Sequence, residues 1–159
     1  MKQPPLISFI IVNWRAEAET VKCVESILMQ NTNHTHEIII FDNESTRESL
    51  SKLENLGTVV SSNENLEFGV AINKAAELAK GNYIALINND AVVDEEWANS
   101  AVSAINKEGA GIVGGIEYLW DGGPRTSDKH YGIPQIKKRT LLIKQSTDTG
   151  IADKQTVYV

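Results

Sequence analysis

Three clusters of polar residues carry the groups in this sequence that could bind a charged ligand. The first, Asn88-Asn89-Asp90, combines one carboxylate with amide oxygens, and such hard oxygen ligands suit Mg²⁺ or Mn²⁺. A cation that also binds phosphate needs few protein ligands, because phosphate oxygens and water fill its other positions. It would neutralise charge on a departing diphosphate. The tripeptide is also a good turn sequence, so these residues alone leave both interpretations open.

The second cluster, Asp42-Asn43-Glu44-Ser45, follows directly on an apolar run. A carboxylate beside a base-binding cleft can accept the imide N–H of uracil or thymine. Guanine offers N–H donors as well, so Asp42 would not select a single base. Alternatively, Asp42 is a turn residue or caps the helix that follows. Both roles remain possible at this stage.

The third cluster, residues 63–69, leads into a predicted helix that carries Asn73 and Lys74. The N-terminus of a helix can receive a phosphate or a sugar hydroxyl, and an Asn or Lys one turn later can add a contact. The alternative is structural, with Asn63 or Asn65 as the helix cap and Lys74 on a solvated face.

The elements that must position these clusters follow from hydrophobic periodicity. Apolar runs predict buried strands at residues 7–13, 37–41, 58–61, 82–87 and 111–117, with weaker ones at 141–143 and 157–159. Helical spacing predicts helices at residues 17–30, through Leu50 and Leu53, at 68–80 and at 94–106. Phe68, Ile72, Ala75 and Ala79 would share one face of the third helix, and Asp94 would cap the fourth.

Strands that alternate with helices predict an α/β fold, with a doubly wound, mainly parallel sheet and helices on both faces. Ligands of such sheets bind beyond the carboxyl ends of the strands. Asn13, Asp42 and residues 88–90 all stand at the carboxyl ends of predicted strands. We therefore expect them to converge on one rim of the sheet.

Composition narrows the function further. The chain has 159 residues, enough for one domain, with a formal net charge of −6. Nucleic-acid binding relies on clustered cations, and the short basic run at 137–139 predicts no such partner. The single cysteine, Cys23, excludes disulfides within the chain and stands among core-type residues. No stretch resembles a signal peptide or a membrane span, which favours a cytoplasmic location and leaves attachment to the inner face of the membrane open.

Five short segments, each different in sequence, follow one another along the chain. They are residues 10–14 (IIVNW), 42–45 (DNES), 65–69 (NLEFG), 79–83 (AKGNY) and 86–90 (LINND). Together with Asn73 and Lys74, this order resembles family 2 glycosyltransferases of the GT-A fold, and most closely their rhamnosyltransferase-like branch. The resemblance covers roughly residues 7–117, and the ordered set is far more specific than any single motif.

The resemblance implies a Rossmann-like sheet in which residues 1–117 form the nucleotide-sugar donor domain. Residues 118–159 would then begin an acceptor-side region that is incomplete, as in a truncated chain. The implied activity is inverting transfer of a hexosyl or rhamnosyl group to an acceptor hydroxyl in polysaccharide biosynthesis. The implied donor is a nucleoside diphosphate sugar, with UDP or dTDP favoured, bound through Mg²⁺ or Mn²⁺. The acceptor would be a glycan or a lipid-linked sugar.

The same resemblance assigns site residues position by position. Asp42 would contact the base, while Val12 and Asn13 would line the base and ribose. Asp90 would be the direct metal ligand, helped by Asn88. The full nucleotide-binding set is Val12, Asn13, Asp42, Asn43, Ser45, Asn65, Asn73 and Asn89. The family's catalytic base, a carboxylate, lies beyond the point where this chain stops, so no residue is assigned to that role and the fragment alone is expected to be inactive.

Arg15, Glu67 and Ile72 depart from the family pattern. The departures at Glu67 and Ile72, with the missing base motif, leave open a non-catalytic nucleotide-binding or scaffolding module of the same fold. A nucleotidyltransferase ranks lower, because the loop after Asn13 lacks the glycine-rich, basic sequence that binds triphosphate. A flavodoxin- or receiver-type domain also ranks low, because the later strand ends lack the aspartate and lysine that a receiver needs.

Overall fold

The computed structural model describes residues 6–107, 111–115 and 140–144. In this part the strands are β1 Ile7–Asn13, β2 His36–Asn43, β3 Thr58–Ser62, β4 Tyr83–Asn88, β5 Ile112–Gly114 and β6 Thr140–Lys144. The helices are α1 Glu17–Leu28, α2 Arg47–Leu53, α3 Phe68–Ala76 and α4 Trp97–Lys107. The predicted strand at 157–159 and residues 116–117 of the predicted fifth strand lie outside the described residues.

The strands form one sheet in the order β3-β2-β1-β4-β6-β5. The pairs β1–β2, β1–β4 and β2–β3 are parallel, whereas β6 runs antiparallel to both β4 and β5. The prediction of a mainly parallel α/β sheet is therefore confirmed. The weak prediction of a strand at 141–143 is also confirmed, and the strand lies between β4 and β5.

Helices cover both faces of the sheet because side chains alternate along each buried strand. Ile7, Phe9 and Ile11 of β1 belong to a core that contains residues of α1, α2 and α4. Ile10 and Val12 belong to a second core, built with α3. A buried isoleucine of this kind stabilises the fold by roughly 2 kcal/mol relative to an exposed one.

Two helix boundaries differ from the sequence predictions. Helix α3 ends at Ala76 rather than Lys80. After it, the backbone hydrogen bonds span three residues instead of four, from Leu78 N to Ala75 O and from Ala79 N to Ala76 O. Helix α4 begins at Trp97 rather than Asp94. Asp94 does accept a hydrogen bond from Glu96 N over 3.0 Å, but it does so in the turn that precedes the helix.

A polar junction at the amino end of the sheet fixes where β4 begins. Ser8 Oγ donates to Glu37 Oε1 over 2.6 Å and accepts from Gly81 N over 2.8 Å. Glu37 Oε1 also accepts from Lys80 N over 2.7 Å. A Cβ atom on Gly81 would lie 2.6 Å from Ser8 N, so this close approach requires glycine. The junction lies at the end of the sheet opposite the polar clusters, where β4 begins beside β1.

Candidate functional site

The carboxyl ends of β2, β1 and β4 lie side by side, as the sequence predicts. Asn13 is in register with Asp42 on β2, and Val12 is in register with Asn88 on β4. The polar clusters that follow these strands therefore share one rim of the sheet. Such a rim is where open α/β sheets bind their ligands.

Asp42 is the centre of a buried hydrogen-bond network at this rim. Its Oδ1 accepts from Asn13 Nδ2 over 2.7 Å and from Ser45 Oγ over 2.6 Å, and its Oδ2 accepts from Ser45 N over 3.1 Å. Asp42 and Asn13 are both 0% exposed. The bond from Ser45 N realises the turn interpretation of Asp42. The carboxylate also holds the amide of Asn13 in one orientation.

Thr20 of α1 extends this network toward β4, and the sequence motifs do not include it. Its hydroxyl donates to Asn13 Oδ1 over 2.7 Å, lies 3.0 Å from Ala16 O and accepts from Asn89 Nδ2 over 3.3 Å. Thr20 is fully buried. The signal in the sequence is a hydroxyl residue at helical spacing from Cys23, Val24 and other members of the buried stripe of α1.

Residues 88–90 comprise the last residue of β4, Asn88, and the turn that follows it. Ala91 N donates to Asn88 O over 3.0 Å, and Cys23 Sγ lies 3.4 Å from the same oxygen. Asn88 and Asn89 are half-buried, while Asp90 is exposed. Burial, and secondarily the charge of Asp90, raise the pKa of the Cys23 thiol to about 12. Cys23 is therefore an inert core residue beneath this turn, as expected, and not a nucleophile.

Asn43 connects β2 to the segment before α3. Its Nδ2 donates to Leu66 O over 3.1 Å, and its Oδ1 accepts from Leu66 N over 3.2 Å. Asn43 is 3% exposed, so both ends of its amide hold this segment against the rim. The Asn43 side chain thus pairs with the backbone N–H and C=O of Leu66 as a neighbouring strand would.

Helix α3 begins without the asparagine cap that the structural interpretation predicted. Its N-cap is Glu67, which makes no side-chain capping bond. Asn65, Asn73 and Lys74 are exposed. Phe68, which the spacing places on the same helical face as Ile72 and Ala75, is 47% exposed. The buried face of the helix is formed by Ala71, Ile72 and Ala75.

Two residues with left-handed backbone conformations follow β1 and β2. Arg15 has φ 51° and Glu44 has φ 56°, a region uncommon for residues other than glycine. Their side chains form an ion pair with an N–O distance of 3.3 Å. The Arg15 guanidinium also lies 5.8 Å from the centre of the Trp14 ring, and Trp14 is 52% exposed. Arg15, which departs from the family pattern, thus connects the loop after β1 to the loop after β2.

The side-chain oxygen atoms at the end of β4 suit a divalent cation that phosphate oxygens of a bound ligand also coordinate. The described residues contain no group of three or more His, Cys, Asp or Glu side chains that could hold a metal by themselves. Asp90 and the amides of Asn88 and Asn89 supply hard oxygen atoms at an accessible rim. A cation bound mainly by phosphate oxygens and water needs no larger protein set.

The chain belongs to glycosyl transferase family 2, because the sequence model of that family matches residues 8–158. It is therefore a glycosyltransferase domain. The chain is 35% identical over 91 residues to TuaG of Bacillus subtilis (strain 168), named as a glycosyltransferase of teichuronic acid biosynthesis, covering 54% of this chain and 36% of TuaG. It is 29% identical over 122 residues to glycosyltransferase GlyG of Streptococcus pneumoniae serotype 4, covering 73% of this chain and 40% of GlyG.

Solved structures share the fold. The mannosyltransferase PcManGT from Pyrobaculum calidifontis, in complex with GDP-Man and Mn²⁺, superimposes with a TM-score of 0.65 at 18% identity, over 73% of this chain and 36% of that one. S. aureus TarS 1-349 in complex with UDP-GlcNAc gives a TM-score of 0.63 at 20% identity, over 78% and 38%. The GT-A fold is thereby confirmed. The chain spans less than half the length of these relatives, and the rhamnosyltransferase-like branch stays a prediction.

Among the described residues, no helix is both long and apolar enough to cross a membrane.

Proposed function

We propose that this domain is the donor site of an inverting glycosyltransferase, which binds a nucleoside diphosphate sugar through Mg²⁺ or Mn²⁺. The observation that carries the proposal is the continuous hydrogen-bond network from Ser45 and Asp42 through Asn13 and Thr20 to Asn89. It links the ends of three adjacent strands at the rim where this class of sheet binds nucleotides. The nucleotide-sugar complexes of PcManGT and TarS, which share the fold, support the same interpretation.

On the base side, Asp42, Asn13, Val12 and Ser45 are the proposed contacts. A carboxylate has about four acceptor positions, and the hydrogen bonds from Asn13 and Ser45 use three of them. One remains for an N–H of the base. Because Asp42 is 0% exposed, a direct contact requires the turn at Glu44 and Ser45 to move outward when the nucleotide enters.

On the diphosphate side, Asp90 is the proposed direct metal ligand, with Asn88 and Asn89 beside it. When bound, the cation would supply charge stabilisation for the departing nucleoside diphosphate. Asn65 and Asn73 are proposed to contact the phosphates or the sugar near the beginning of α3, where unpaired backbone N–H groups favour anions. Asn43 contributes by holding this segment in place through Leu66.

The finer specificity is also part of the proposal. We favour UDP or dTDP as the carrier, a hexosyl or rhamnosyl group as the sugar, and a glycan or lipid-linked sugar as the acceptor. Polysaccharide biosynthesis in the cytoplasm, including the inner face of the membrane, is the proposed setting. No residue of this chain is assigned as the catalytic base.

Calorimetric titration of UDP, dTDP and GDP, with and without Mn²⁺, tests the donor site. We expect one of the uracil or thymine nucleotides to bind, with at least tenfold higher affinity when Mn²⁺ is present. Equal affinity with and without the cation would contradict the metal-dependent part of the proposal. No binding by this chain or by a longer form of the protein would contradict the donor site itself.

A second candidate function is a nucleotide-binding or scaffolding module without transfer chemistry. The observation that favours it is Glu67, an exposed acidic residue at the N-cap of α3. A negative charge there opposes a phosphate or sugar-phosphate group at the helix N-terminus, so it weakens the sugar-phosphate side that transfer requires and leaves the base side at Asp42 unaffected. Transfer of sugar by this chain or by any longer form of it would exclude this alternative, whereas nucleotide binding without any transfer would support it.

A further inference from the structure

We propose that Thr20 is a positioning residue that couples the base side of the donor site to the metal side. This inference rests on the proposed function, which assigns the nucleotide base to one side and the cation to the other. The base side consists of Asn13 and Asp42 at the ends of β1 and β2. The metal side consists of Asn88 at the end of β4 and the turn of residues 89–90 that follows. Thr20 belongs to neither strand and contacts both sides from α1.

The geometry around the hydroxyl is directional. A threonine hydroxyl has one proton to donate and accepts through its lone pairs. The acceptor at the shortest distance is Asn13 Oδ1, at 2.7 Å, and Ala16 O is at 3.0 Å. Donation to Asn13 Oδ1 fixes which end of the amide faces α1, so that Nδ2 faces Asp42 at 2.7 Å. The orientation of the Asn13 amide, and with it one hydrogen bond to Asp42, therefore depends on the proton that Thr20 donates.

The same oxygen holds the metal side. Asn89 Nδ2 donates to Thr20 Oγ1 over 3.3 Å, and Asn89 immediately precedes Asp90 in the turn. Thr20 is 0% exposed, so neither bond is exchanged freely with solvent. A shift of the turn when a cation binds Asp90 would therefore be transmitted to Asn13, and a shift of Asn13 would be transmitted to the turn.

A purely structural role for Thr20 is the competing explanation. Threonine often bonds the carbonyl four residues earlier in a helix, and Ala16 O stands in that position. In that case, loss of the hydroxyl would lower stability and leave the two sides of the site independent. The two explanations differ in one measurable quantity, the factor by which Mn²⁺ tightens nucleotide binding.

The experiment compares the wild-type chain with Thr20→Val, Thr20→Ser and Ser8→Ala. Valine keeps the shape of threonine and removes the hydroxyl contacts to Asn13, Ala16 and Asn89, whereas serine keeps the hydroxyl. Ser8 is a buried hydroxyl residue at the opposite end of β1, so its loss controls for reduced stability alone. The dissociation constants of UDP and dTDP are measured by calorimetry with and without saturating Mn²⁺, and the thermal midpoint of each variant is recorded.

We expect the Mn²⁺-induced tightening to fall at least fivefold in Thr20→Val. Thr20→Ser and Ser8→Ala should stay within twofold of the wild-type ratio. A wild-type ratio in Thr20→Val overturns the inference and leaves Thr20 a structural residue. Should Thr20→Val not fold, Thr20→Ala, which leaves space beside Asn13 Oδ1 rather than a methyl group, serves as the second variant with the same expectation.

The failure of the donor site itself would look different. If the wild-type chain binds neither UDP nor dTDP in the presence of Mn²⁺, the proposed function and this inference both fail. If the wild-type chain binds with a clear Mn²⁺ effect that Thr20→Val retains, only the inference fails.

Discussion

Asn13 and Asp42 stand opposite each other at the ends of neighbouring parallel strands, and Asn13 Nδ2 donates to Asp42 Oδ1 over 2.7 Å. Both residues are completely buried. Removing a carboxylate from water is costly unless hydrogen bonds compensate, and Ser45 supplies two more through its N–H and hydroxyl. The rim is therefore ordered by its own side chains before any ligand enters.

Loss of the Asn13 amide should show how far the buried Asp42 carboxylate depends on its hydrogen-bond donors. We expect Asn13→Ala to lower the free energy of unfolding by about 2–3 kcal/mol, because the buried carboxylate loses a donor. Asp42→Ala should also be destabilising. The double variant should cost less than the sum of the two by about 1 kcal/mol or more, since the residues interact directly. Urea unfolding of all four proteins measures the coupling, and strict additivity would contradict it.

The sequence predicts the strands at this rim well. Strands buried on both faces read as continuous apolar runs, and the predicted bounds of β1 coincide with the observed Ile7–Asn13. Asn13 and Asp42 were identifiable because each stands at the end of such a run. The position of β6 between β4 and β5 was not predictable, because periodicity carries no information about which distant strands pair.

Contacts between elements account for what the sequence missed at the site. Thr20 occupies a helical stripe position that looks like core, and only the crossing of α1 over β1 brings its hydroxyl to Asn13. Likewise, the pairing of Asn43 with the backbone of Leu66 joins segments 23 residues apart, and no local pattern indicates it. The exposure of Phe68 depends on how α3 rotates against the sheet, which its spacing alone did not fix.

Gly81 should tolerate no side chain. In Gly81→Ala the new Cβ would lie 2.6 Å from Ser8 N and 2.8 Å from Ile7 C, so the backbone of β1 or β4 must shift. We expect a loss of about 1–3 kcal/mol in the free energy of unfolding. Gly69→Ala is the matched control, because nothing lies within 4 Å of its Cβ position.

The control should change stability in the opposite direction. Gly69 lies in the first turn of α3, where alanine restricts the unfolded chain and favours the helix by roughly 0.5–1 kcal/mol. Chemical denaturation of both variants measures the contrast. A Gly81→Ala protein as stable as the wild type would mean that β4 and β1 do not approach as closely as described.

Asp90 should carry the proposed metal response. We expect Asp90→Asn to weaken binding of UDP or dTDP at least tenfold in Mn²⁺, and to change metal-free binding little, because an amide is a poorer ligand for a hard cation than a carboxylate. Asp94→Asn is the control. Asp94 is exposed, four residues further on, and its Oδ1 accepts from Glu96 N, which an asparagine side chain can still do. Equal losses in both variants would argue for a general charge effect instead.

Glu17 should make the stability of the rim depend on pH. A hydrogen bond from Ser49 of α2 is the largest cause that holds the pKa of Glu17 below its ordinary value of 4.5, and the charge of Lys52 and a hydrogen bond from Ser45 act in the same direction. Because the folded-state pKa is the lower one, the stabilisation is fully present above the unfolded value of 4.5 and is lost as the pH falls through the folded value. Ionised Glu17 thereby favours the packing of α2 and of the turn after Asp42 against α1, and this contribution weakens when the carboxylate is protonated.

Urea unfolding at pH 6 and at pH 3.5 tests this linkage as a difference between variants, since other carboxylates also titrate in that interval. We expect the denaturation midpoint of Glu17→Gln to fall less between the two pH values than that of the wild type. Ser49→Ala should reduce the pH response in the same sense, because it removes the largest cause of the lowered pKa. Adding Ser49→Ala to Glu17→Gln should then change the response little. An unchanged pH response in Glu17→Gln would show that the carboxylate makes no such contact in solution.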